Sequence, residues 1–68
     1  MEHNKHYLIQ ATALGKDNHW EPRYAIYNAD GRPTKVLAYR ALHVHESTHA
    51  AAIESALRFA RNCIDEEM

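Results

Sequence analysis

The chain has one cysteine, two glycines and two prolines in 68 residues, and it has no long apolar run. Each shortage excludes something. Cys63 alone cannot close an internal disulfide, which leaves a metal or self-association as the available staple for a small fold. Two glycines supply no Gly-rich phosphate loop. No apolar stretch approaches the roughly 18 residues that cross a bilayer, and the opening Met1-Glu2-His3-Asn4-Lys5-His6 is too polar for a secretory leader. An unpaired cysteine suits a reducing compartment, so a cytoplasmic location is expected. A surplus of one charge is lacking too. Eight Lys/Arg against nine Asp/Glu give a net charge of −1, and the chain as a whole is not a polyanion binder. The length admits one domain, residues 1–68, of a size that hides only roughly 60% of its unfolded surface.

What is present is sheet chemistry followed by helix chemistry. Tyr7 to Leu14 alternates with the strand period of two, Tyr7, Ile9, Ala11 and Ala13 on one side and Leu8, Gln10, Thr12 and Leu14 on the other. Gly15 to His19 reads as a loop. Pro22 suits the opening of a second strand, in which Tyr24 and Ile26 oppose Arg23, Ala25 and Tyr27. Asn28-Ala29-Asp30-Gly31-Arg32-Pro33 is the strongest turn signal. Lys35 to Val44 reads as a third strand whose apolar residues break parity, which leaves open whether it is bulged. Ser47 is the expected N-cap of an Ala-rich helix whose apolar stripe is Ile53, Leu57, Ala60 and Ile64. The acidic end Asp65-Glu66-Glu67 opposes the helix macrodipole, so fraying is expected there.

The expected fold is therefore α+β, a three-stranded antiparallel meander with strands at about 6–14, 22–28 and 35–44. One C-terminal helix, about 48–64, packs on one sheet face (βββα). The core-facing parity of strands two and three stays open, since Tyr24 and Ile26 can exchange faces with Ala25 and Tyr27. If Tyr7, Ile9, Tyr24, Ile26, Val36 and Ala38 turn to the helix, the opposite face carries Leu8, Leu14, Tyr27, Leu37 and Tyr39. Gln10, Thr12, Arg23 and Lys35 are mixed among them. A solvated sheet face is usually more polar than this, and large apolar patches mark contact sites. Leu8, Tyr27, Leu37 and Tyr39 are the candidate interface residues, and a homodimer or a protein partner is the expected occupant. The competing reading is that the N-terminal arm or the 15–21 loop covers this face.

Other chemistry is thinner. Residues 23–40 carry a net +3, from Arg23, Arg32, Lys35 and Arg40 against Asp30. With Tyr27 and Tyr39 nearby they form an alternative, less favoured, nucleic-acid surface. Three of six histidines cluster, and His43, His45 and His49 with Glu46 make a candidate set for zinc. Ordinary surface histidines at a helix start fit the same spacing, so no metal and no cofactor are assigned. Cys63 lies at a helix C-terminus, where the field raises a thiol pKa, and no nucleophile or paired-carboxylate motif appears. An enzyme is not expected.

The segment Val44 to Leu57, a Ser-capped, Ala-rich helix after antiparallel strands, resembles the C-terminal part of double-stranded-RNA-binding domains. The same order is similar to the N-terminal portion of HicB-like antitoxin domains. Trp20-Glu21-Pro22 before strand two, and Ala56-Leu57 through Ile64-Asp65, resemble small uncharacterised bacterial βββα domains over nearly the whole chain. The resemblance implies the fold. It carries over no functional residue, since Thr48, His49 and Ala50 stand where the RNA-binding domains carry a phosphate-gripping lysine cluster. The Pro-Gly-Cys turn of HicB-like chains is missing as well.

Overall fold

Two-residue turns set the architecture. In the structure, a computed structural model that describes residues 1–29 and 36–67, four strands follow one another before a single helix. They are β1 (Glu2–Asn4), β2 (Tyr7–Lys16), β3 (His19–Asn28) and β4 (Val36–Ala41), and α1 runs over His49–Glu67. The sheet order is β1-β2-β3-β4, antiparallel throughout. The meander and the C-terminal helix match the α+β expectation, but there are four strands rather than three.

The extra strand is β1. Glu2, His3 and Asn4 pair with Ile9, Leu8 and Tyr7, and Lys5 takes a positive φ of 56° to turn the chain. Nothing in three polar residues carries a strand signal. Their order comes from the neighbouring ladder and from two ion pairs, Glu2 with Arg61 and Lys5 with Asp65 (2.9 Å). The second pair also sets a cation beside the C-terminal end of α1, where the macrodipole favours one. The helix accordingly continues to Glu67 instead of fraying at Asp65.

The expected 15–21 loop is a hairpin. Lys16 pairs with His19 across Asp17-Asn18, and Asp17 adopts φ 55°. The Trp20 indole Nε1 donates to the Asp17 carbonyl at 2.9 Å, closing the turn from outside. Gly15 has φ +150°, and a Cβ there would overlap the His19 carbonyl oxygen, so this position takes only glycine.

β4 is shorter than the expected 35–44 and contains the bulge. Ile26 pairs with Ala38 but Tyr27 pairs with Val36, which leaves Leu37 as the extra residue. The turn at Asp30-Gly31, with Arg32, Pro33 and Lys35, lies outside the described residues. After Leu42 the chain loops out and returns as a bridge between Glu46 and Trp20 (2.9 and 3.0 Å). The helix cap is Thr48, whose Oγ1 accepts from Ala51 N–H at 3.0 Å, and not Ser47.

α1 lies across β2 and β3. Ile9, Tyr24, Ile26, Leu42, Ala56, Ala60 and Ile64 form the core, with Tyr7, Ala11, Ala38, Leu57 and Cys63 packed around it. The alanines bring the helix close to the sheet, and the three isoleucines are fully buried. Each such isoleucine contributes about 1.5–3 kcal/mol by burial. Tyr24 and Ile26 face the helix. Val36, expected beside them, is 45% exposed, because the bulge swings it to the opposite side.

Candidate interaction surface

Register fixes what the helix-free face presents. Opposite residues of an antiparallel pair share a face, so His3, Leu8 and Tyr27 line up across three strands, then Gln10, Ala25 and Tyr39, then Thr12, Arg23 and Ala41. β1 extends the sheet sideways and does not fold over this face. Leu14 and Tyr39 are 54% and 60% exposed. Leu8 and Tyr27 are half-buried by one another and by their strand neighbours.

Ala25 is the floor of this face. It is buried because Tyr27, Tyr39, Gln10, Thr12 and Val36 stand around it, and together they line a shallow apolar hollow of about 370 Å³. Hydrogen bonds hold the walls in place. Tyr27 Oη donates to Gln10 Oε1 at 3.1 Å. Arg23 Nε donates to Glu21 Oε1 at 3.0 Å, and its Nη1 donates to Tyr39 Oη at 3.3 Å. The Glu21 bond, followed by the Tyr39 bond, pushes the Arg23 guanidinium still further above its ordinary pKa. Gln10, Glu21 and Arg23 are thus engaged with neighbours on this face, and aromatic and aliphatic side chains, with Thr12, make up most of the rest of it.

Of the four candidate interface residues, Tyr27 and Tyr39 flank the hollow, and Leu8 pairs with Tyr27 at its far side. Leu37 stands apart as the bulged residue of β4, 43% exposed. Sequence reasoning missed Ala25 and Val36. A small residue between large neighbours on one strand parity was the available signal for Ala25. Val36 needed the bulge's position, which composition does not give.

No family model, curated protein or solved structure matches the chain at a significant level.

The basic residues of the nucleic-acid reading do not come together. Arg23 is on the helix-free face, paired with Glu21. Arg40 sits opposite Tyr24 on the helix side, in a second hollow with Phe59, Asn62, Cys63, Glu66 and Glu67. Arg32 and Lys35 lie outside the described residues.

The histidines are separated as well. His45 meets His19 edge-on at 6.1 Å between ring centroids, and His49 meets Trp20 edge-on at 5.0 Å. His43 is exposed. Among the described residues no three His, Cys, Asp or Glu side chains form a metal-holding group. These rings instead dock the 42–48 connection and the start of α1 onto the β2–β3 hairpin. Glu46, counted among the ligand candidates, accepts from the buried Ser55 hydroxyl at 2.8 Å. Burial, followed by a bond to Glu67, pushes the Cys63 thiol up from its ordinary value, which lowers its thiolate fraction near neutral pH.

Proposed function

We propose that this chain is a small protein-interaction module that takes a second copy or a protein partner on the side of the sheet away from the helix, along β4 and the adjoining face. The observation that carries the reading is the state of β4. Three of its six residues, Val36, Leu37 and Tyr39, are large, apolar and exposed, and among the described residues the strand is paired on one side only. Tyr and Arg, which interfaces favour, stand next to them at Tyr27, Tyr39 and Arg23. The face is also not dressed by the chain's own N-terminal segment, which lies in the sheet as β1.

The nucleic-acid alternative has less behind it. Its two described cations are on opposite faces of the sheet, and one is already neutralised by Glu21. A phosphate backbone needs several free cations in a row. Chromatography coupled to light scattering, run from low to high micromolar concentration, tests the proposal. A mass rising above the 7.8 kDa of one chain is expected. A constant 7.8 kDa, with tight salt-sensitive binding to an oligonucleotide, would replace this reading with the alternative.

A further inference from the structure

We infer that two copies of this chain pair antiparallel along β4, about a two-fold axis at Tyr39, to form one eight-stranded sheet. The inference rests on the interaction reading above and names the occupant. It starts from the unequal treatment of the two sheet edges. The β1 edge is three residues long, and the charged Glu2 and Lys5 are tied back to Arg61 and Asp65 of the helix. Short, charged edges resist strand addition. The β4 edge is six residues long, with Arg40 as its one charge and no proline. Among the described residues it has none of the protection given to the other side.

The ladder tells which groups of β4 point outward. Leu42 N–H donates to the Pro22 carbonyl at 2.9 Å, in the same register that sets Ala41 against Arg23 and Arg40 against Tyr24. Hydrogen-bonded and non-hydrogen-bonded pairs alternate in an antiparallel ladder. Leu42, Arg40 and Ala38 therefore direct their backbone groups at β3. Ala41 and Tyr39 direct theirs outward, where among the described residues no backbone partner meets them.

Such an edge is complementary to itself. An axis at Tyr39 lets each Tyr39 give its N–H to the carbonyl of the other, and it sets Leu37 opposite the second copy's Ala41. An axis at Ala38 would centre the pair on groups already bonded to β3. Placing the axis at Tyr39 also brings the two phenol rings side by side on the helix-free face, as a cross-strand aromatic pair. Both helices then stand on the other face. α1 rests on β2 and β3, so each helix sits back from the junction, with exposed Phe59 beside Arg40 on that side. A net charge of −1 per copy offers little repulsion.

Two variants test the pairing. In a Cys63→Ser background, Tyr39→Cys should form a disulfide-linked dimer under mild oxidant while Leu14→Cys does not. Hydrogen-bonded partners stand about 5.5 Å apart between Cα atoms, within disulfide reach. Tyr39→Pro removes an N–H that no β3 carbonyl uses. It should keep its circular dichroism and weaken dimerisation at least about thirtyfold in sedimentation equilibrium, as expected for losing two N–H···O bonds. If Tyr39→Pro fails to fold, the cysteine pair decides alone. A wild-type dimer that cross-links at Leu14 and not at Tyr39 overturns the edge pairing and leaves the interaction reading standing, with the face as its contact. A wild-type chain that stays monomeric overturns the edge pairing and leaves a different protein as the occupant of the interaction reading.

Discussion

Gly15 and Glu2 show how much of this molecule rests on single positions. Gly15 is at φ +150° with the His19 carbonyl against its α-carbon, so even a methyl group has no space. Gly15→Ala should lower stability by about 1–3 kcal/mol, the usual cost of a forced backbone, read as a lower midpoint in thermal denaturation. An unchanged midpoint would mean that the β2–β3 hairpin is not built as described. Glu2 acts across the whole chain, its carboxylate accepting from Arg61 Nε at 2.7 Å and from Nη2. That hydrogen bond first, and the Arg61 charge after it, hold the Glu2 carboxyl below its ordinary 4.5. Lowering the value in the folded state means the ion pair contributes fully at neutral pH and is lost as pH falls from about 4.5 through the folded value. Glu2→Gln should therefore melt lower than wild type at pH 7, and the gap should narrow as pH falls below 4.5. A gap that does not narrow with acid would show that the pair does not anchor β1.

The elements differ in how far the sequence alone exposes them. β2 and β3 were legible as strands from their alternation, while which parity of β3 meets the helix was decided only by the packing that buries Tyr24 and Ile26 with Ile9. α1 was legible from its stripe in part, since Ala60 and Ile64 are buried, whereas Ile53 and Leu57 are half-buried and Ala52, Ser55 and Ala56 complete the buried face. β1 was not legible, because three polar residues become a strand only when an existing edge and two helix charges hold them there. Val36 was misplaced because the bulge at Leu37 puts the residue before it on the other face, and the bulge's position depends on pairing and not on composition. The cap shifted by one residue for a similar reason. Ser47 and Thr48 are both good caps, and the bridge from Glu46 to Trp20 fixes where the helix begins. Thr48→Ala should cost about 1 kcal/mol in chemical denaturation, while Ser47→Ala should stay within about 0.5 kcal/mol. The reverse order would restore Ser47 as the cap. For the surface, Tyr27 and Tyr39 were legible as partners on one face, whereas Ala25 as its floor required the neighbours' register.

At the scale of the whole molecule, one helix covers one side of a four-stranded sheet, and the chain closes one of its two edges. The N-terminal segment and the C-terminal half of α1 complete the β1 side through paired charges. The β4 side keeps outward-facing backbone groups beside Val36, Leu37 and Tyr39. A domain of this length has a small core, so joining two sheets would add stability that one copy lacks. Thermal midpoints should accordingly rise with protein concentration, by the mass action of a folded dimer. Amide hydrogen exchange read residue by residue, from dilute to concentrated protein, probes the open edge most directly. The Tyr39 and Ala41 amides should slow markedly at high concentration while those of β1 do not change. Fast exchange at Tyr39 and Ala41 at every concentration would mean that no second strand ever lies against them.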